Sequence, residues 1–175
     1  DPCKIFWASG TAFLTRKNIF NQIGGFDETF FAHMEEIDLC WRFHMLGYKI
    51  LAEPSSIVYH KNAVTLPMYS QKKYYLNHRN SLYMLCSNYS IPLTVYLFPV
   101  RIALDVIAFF YAMSKLDWKH MTAIVMAIFW LILHPHLIVK KRRRNKHIKS
   151  VRDKDIIKNI FRGSIVFVFY ILRKK

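Results

Sequence analysis

Glu35, Glu36 and Asp38 fall within four positions of one another in the stretch GGFDETFFAHMEEIDLCWR. Two chemistries suit such a group. Crowded carboxylates beside apolar walls push a pKa upward, as a general base working near neutrality requires. Acidic side chains in a first helical turn also favour the positive end of the helix dipole, by about 0.3–1 kcal/mol each. Asp38 and Arg42 have the i, i+4 spacing of a helical ion pair. The rings of Phe26, Phe30 and Phe31 just ahead supply the walls that the first reading needs. His60, which ends IVYH, is the second candidate. A neutral imidazole beside carboxylates suits a divalent metal, and a lone histidine equally serves as a hydrogen-bonded structural group. His33, His44 and His78 have weaker claims. Trp7 and Trp41 are either sugar platforms or core residues. Gly10, in WASG, either lets a backbone approach a ligand or makes a plain turn.

These residues need elements to position them. KIFWASGTAFLTR reads as strand, glycine turn, strand, and RKNIFNQI as a short helix stopped by Gly24-Gly25. Apolar positions at 37, 40, 41 and at 39, 43, 46 predict a helix over 35–46, ended by Gly47. YKILAEP and SSIVYH read as strands around a Pro-Ser-Ser turn, and 68–89 as a long helix of mixed polarity. Helices alternating with strands predict an α/β layer packing over residues 1–89.

Charge is distributed unevenly along the 175 residues. The net charge is +15, yet residues 1–66 carry six basic against seven acidic side chains, while residues 140–158 carry ten Lys/Arg against Asp153 and Asp155. The basic run follows two apolar segments, 91–113 and 121–139, each near the ~20 residues that cross a bilayer. A short joint, SKLDWKH, predicts an antiparallel hairpin over 90–139, with 140–175 as a basic cytoplasmic tail carrying the short apolar run SIVFVFYIL. The charge asymmetry puts residues 1–89 and the basic run on the cytoplasmic side of the membrane. Pro99, Arg101 and Asp105 favour a second arrangement, helices lying in the membrane surface. No aromatic interleaves the basic run, which argues against a nucleic-acid site. Three cysteines without metal-ligand spacing suggest neither a disulfide framework nor a zinc site.

Taken in order, ASGTAFLTR, GGFDE, the acidic pair, DLCWR, GYKI, VYH and YYLNHRNSLYML resemble the C-terminal half of family 2 glycosyltransferases over residues 5 to about 87. The resemblance implies the C-terminal part of a GT-A (nucleotide-diphospho-sugar transferase-like) fold. It also implies inverting transfer from a nucleotide-sugar donor to a lipid-linked or polysaccharide acceptor. Glu36 takes the position of the base, with Glu35 its rival, because family members carry Glu-Asp where this chain has Glu-Glu. Asp38 and Arg42 correspond to residues that brace the helix and site, and Trp7, Gly10 and Trp41 face substrate. His60 falls where some members complete a site for a divalent cation, Mg2+ or Mn2+. No Asp-x-Asp follows a strand, the one at Asp153-Lys154-Asp155 lying in the basic run, and no phosphate-cradling glycine loop is found. The expectation is therefore a partial chain, inactive by itself. The competing function is a non-catalytic, membrane-anchored scaffold whose carboxylates only cap a helix.

Overall fold

The computed structural model describes residues 1–60, 67–158 and 160. Its elements are β1 (Cys3–Ile5), α1 (Lys17–Gln22), a 3-10 turn (Glu28–Phe30), α2 (Glu35–Met45), β2 (Ile50–Ala52), α3 (Gln71–Asn88), α4 (Ile91–Ser114), α5 (Trp118–Leu133), α6 (Pro135–Ile148) and α7 (Asp153–Ile157). Strand β1 pairs antiparallel with β2, Cys3 opposite Ala52 and Ile5 opposite Ile50.

Helices dominate, and the expected strands are shorter or missing. Residues 11–16 and 53–60 contain no strand, and Ile57, Val58 and Tyr59 are exposed. A β-rich sequence becomes a strand only where a neighbour takes its backbone hydrogen bonds and a layer covers one face. Among the described residues the sheet has only β1 and β2. The helices fall close to their expected positions. Gly47 follows α2 at φ 82, a left-handed conformation that suits glycine at a helix end. Ser70 caps α3 through Lys73 N–H at 3.3 Å.

Two apolar cores result. Around α2, Leu39 and Phe43 pack with Ile23, Ile19 and Phe20 from α1 and its end. On another side of the same helix, Trp41 and Met45 meet Phe6, Tyr89 and Ile156. The second core joins Leu82 and Cys86 of α3 to Ala127 and Leu131 of α5, flanked by Phe98 and Ile102 of α4. Ala123 and Ala127 are both fully buried, and such small side chains let α5 lie close to its neighbour. Helices α5 and α6 meet at 69° at His134. Pro135 sits in the first turn of α6, where its missing N–H costs nothing.

The basic run departs most from expectation. Residues 140–148 are not a free tail but the body of α6, with Lys141 and Asn145 buried and Lys140, Arg143, Lys146 and His147 exposed. The apolar run SIVFVFYIL lies outside the described residues.

Candidate functional site

Residues 6–10 run extended along α2, one contact per helical turn. The Phe6 ring stacks on His44 at 4.9 Å, and the Phe6 carbonyl accepts from His44 Nε2 at 2.8 Å. Ala8 N–H donates to Cys40 Sγ at 3.4 Å. A Cβ on Gly10 would stand 3.8 Å from Glu36 Cβ and 3.9 Å from Glu36 Cδ. Positions 6, 8 and 10 thus meet 44, 40 and 36. The match is geometric: two extended residues advance about 6.6 Å, and four helical residues about 6 Å. Alternation turns Trp7 and Ser9 away from α2, and Trp7 is 44% exposed. The structure therefore brings Gly10 to Glu36 and leaves the Trp7 ring open to a ligand.

The approach to α2 is strained. Phe31, His33 and Met34 all have positive φ, at 62, 67 and 68. Side chains adopt that conformation at a cost of order 1–3 kcal/mol each, so surrounding contacts must impose it. They come from α3. Arg79 Nη2 donates to the Thr29 and Phe30 carbonyls at 2.6 and 2.8 Å. Asn80 Nδ2 donates to the carbonyls of Phe30, Ala32 and His33 at 3.1, 2.8 and 2.7 Å. Asn80 is fully enclosed. The HRN triplet of the sequence thus staples the loop that delivers Glu35 and Glu36. Asn80→Leu should lower stability by about 2–3 kcal/mol, since the Ala32 and His33 carbonyls lose their donor while Phe30 keeps Arg79. If the site is catalytic, transfer should fall further than the folded fraction does. Parallel assays of activity and thermal unfolding check this.

At the start of α2 the two glutamates are half-buried, and each has one enclosed oxygen, Oε2, without a hydrogen-bond partner among the described residues. Burial raises the pKa of Glu35; its own backbone N–H opposes this, and the neighbouring Glu36 adds to the rise. His33 is the imidazole within the field of the pair. Burial and the charge of Lys73 hold its pKa below the usual value, with Glu36 pulling the other way. Its Nε2 is likewise enclosed without a partner. Three polar atoms around one helix start, two of them on adjacent glutamates that interact with each other, are thus left without a further partner among the described residues.

His60, expected at this site, instead ends the exposed irregular segment 53–60. Among the described residues no three His, Cys, Asp or Glu side chains are grouped to hold a metal ion. A single exposed imidazole does not make a cation site, so the described residues by themselves do not fit the Mg2+ or Mn2+ that the resemblance implies.

Asp38, Trp41 and Arg42 lie inside the fold, so Asp38 and Arg42 are placed to brace, and Trp41, expected to face substrate, is enclosed beside them. Asp38 and Arg42 are 0% exposed and Trp41 3%. Arg42 Nε donates to Asp38 Oδ2 at 2.9 Å, and its Nη1 donates to the carbonyls of Ile23 and Gly25. Asp38 Oδ1 accepts from Asn88 Nδ2 at 2.8 Å and lies 2.7 Å from Lys141 Nζ. Lys141 also meets Asp27 Oδ2 at 2.6 Å and lies 4.4 Å from the Phe30 ring centroid. Arg144 adds a bond to Asp27 at 3.1 Å, and Asn145 binds Asn88 at 3.0 Å. These residues brace α2 against α3 and α6 and act on the glutamates only by fixing their helix. A basic run read alone signals a surface. Its internal role was detectable only from the other side, since two carboxylates destined for burial, Asp27 and Asp38, require cations.

Part of this chain is similar in sequence to a glycosyltransferase. The relatives are the N-acetylglucosaminyl-diphospho-decaprenol L-rhamnosyltransferases of two strains of Mycobacterium tuberculosis, CDC 1551 / Oshkosh and ATCC 25618 / H37Rv, each 42% identical over 57 residues. The match covers 33% of this chain and 19% of each relative, so the matched stretch is about a fifth of their length. No family model matches, and no solved structure does.

Proposed function

We propose that this chain takes part in transfer of a sugar from a nucleotide-sugar donor to a hydroxyl of a lipid-linked acceptor, with inversion, and that Glu36 is the general base. The acceptor oxygen attacks the anomeric carbon and forms the new glycosidic bond. Its proton passes to the Glu36 carboxylate. The bond from the anomeric carbon to the donor phosphate breaks, and the nucleoside diphosphate departs with the electron pair. Attack opposite the leaving group inverts the centre. Trp7 offers an exposed aromatic face to the acceptor sugar, and the neutral imidazole of His33 a hydrogen-bonding partner beside the base. In this reading residues 1–89 are the C-terminal part of a GT-A fold, held at the cytoplasmic face of the membrane by the apolar helices.

The observation that carries the proposal is the acidic pair itself: two half-buried glutamates, each with an enclosed and unbonded oxygen, on a helix whose entry is held in a strained conformation. The partial likeness to a rhamnosyltransferase whose name specifies a diphospho-decaprenol sugar supports the acceptor class. A nucleic-acid reading of the basic run is less well supported, since Lys141, Arg142, Arg144 and Lys149 are engaged by acceptors within the fold.

The test is transfer from nucleotide-sugar donors to a polyprenyl-diphospho-sugar by the full-length protein in membranes. The product's anomeric configuration, read by NMR, should be opposite to the donor's. Retention, or no transfer with any donor, would remove the proposal.

A further inference from the structure

Helix α4 is 24 residues long, and among the described residues it is the one helix long and apolar enough by itself to cross a membrane. Helix α5 reaches that length only when joined to α6 across the 69° bend. Composition therefore permits a spanning hairpin, but the contacts of the two helices point elsewhere.

Helix α5 is paired along its length with α3, and in the same direction. Gln71 Nε2 donates to Thr122 Oγ1 at 2.7 Å, Tyr74 stacks on His120 at 4.3 Å, and Tyr83 meets Trp130 edge-on at 5.7 Å. At the far end Cys86 packs with Leu131. Helix α3 is polar, with Gln71, Lys72, Lys73, Asn77, His78, Arg79 and Asn80 in its first ten residues. It is also fastened to the rest of the fold through Arg79, Asn80 and Asn88. Helix α4 is tied to the same helix in mid-course. Arg101 Nη1 donates to Ser81 Oγ at 2.7 Å, and Asp105 lies 2.7 Å from His78 Nδ1. The tip of the hairpin at Leu116–Asp117 is thus level with the start of α3. A hairpin crossing the bilayer would drag the lysines, arginine and amides of α3 through about 30 Å of hydrocarbon, at several kcal/mol for each uncompensated polar group.

Away from α3, the helices α4 and α5 present exposed apolar side chains, with no cover among the described residues. Tyr96, Val100, Ile107 and Phe110 of α4 are each more than half exposed, as are Phe129 and Ile132 of α5. Exposed cationic side chains flank the hairpin in the chain, Lys115 and Lys119 at its tip and Lys140 and Arg143 on α6 beyond the 69° bend. Trp118, also exposed, lies at the tip, where an amphipathic ring suits a headgroup boundary. We propose that the α4–α5 hairpin is an in-plane docking surface that enters one leaflet of an anionic bilayer and does not cross it. A lipid leaflet matches this surface because it offers hydrocarbon to the apolar side chains and anionic headgroups to the flanking cations. The inference rests on the membrane part of the function proposed above and is independent of sugar transfer.

The test uses the whole chain with Cys3→Ser and Leu116→Cys, since Cys40 and Cys86 are buried. A membrane-impermeant maleimide should label position 116 in inverted inner-membrane vesicles and not in intact spheroplasts. Labelling from the periplasmic side would establish a spanning hairpin and overturn the proposal. In a second arm, purified protein should float with phosphatidylglycerol vesicles. Phe110→Asp with Phe129→Asp, both on the exposed face, should reduce flotation by at least about tenfold. Failure of the unsubstituted protein to float, or a stable dimer that covers this face, would also overturn it. Transfer assayed in detergent reports on the acidic pair separately, so the two proposals fail by different measurements.

Discussion

Lys141→Ala should destabilise the protein by about 3–5 kcal/mol, the loss typical of a buried ion pair stripped of one partner. The ammonium lies between Asp27 and Asp38, at 2.6 and 2.7 Å, with only 2% of its side chain exposed. Its removal leaves Asp27 with the partly exposed Arg144, and Asp38 with Arg42 and Asn88. The same change detaches α6 from α2, because Lys141 is the cation on α6 that reaches both carboxylates. Pairing Lys141→Met with Asp27→Asn should recover part of the loss, since the one carboxylate left buried keeps two partners. Denaturant unfolding of the single and double variants measures both, and a loss under about 1 kcal/mol for Lys141→Ala would show that the ammonium is not held between the two acids.

Acid has a related effect. Burial opposes ionisation of Asp27, but the charge and hydrogen bond of Lys141, with bonds from Thr29, outweigh it and hold the carboxyl well below the usual range. A depressed folded pKa contributes stability that is complete above the unfolded value of about 3.9 and is lost as pH falls through the folded one. Stability should therefore decline below about pH 4, and Asp27→Asn should flatten that decline.

Glu36→Gln should lower transfer by about 100- to 10,000-fold, the range for loss of a general base. The amide keeps the shape of the side chain, so contact with Gly10 and the stability of α2 should change little. Donor binding should stay near its original value, because the base acts on the acceptor proton. An equal loss of donor binding would reassign Glu36 to holding the donor. Glu35→Gln should reduce transfer less and act on the pH profile instead. Glu35 is raised by burial and by its neighbour, so any part of the acid limb that Glu35 carries should be absent from the variant.

The local elements were legible in the sequence. Apolar periodicity placed α2 within a residue of its observed end, and Gly47 marked the stop. The long apolar run located α4, whereas the segment 121–139, expected as one helix, is divided at His134 between α5 and α6. Glu35 and Glu36 stood out as candidates from their adjacency in one helical turn, and the resemblance gave Glu36 the position of the base.

Other features depend on contacts between residues far apart in the chain, which periodicity cannot register. SSIVYH has the composition of a strand but finds no strand neighbour among the described residues, and His60 goes with it into the exposed segment. The imidazole in the field of Glu36 is His33, turned there by a loop that Asn80 holds from 47 residues away. The basic run reads as a solvated tail until Lys141 meets Asp27, 114 positions earlier. Sequence determined which segments are helical and where the acids stand. Tertiary structure decided which charges are buried and that the apolar hairpin packs along α3, because burial is set by what packs against a side chain rather than by what precedes it.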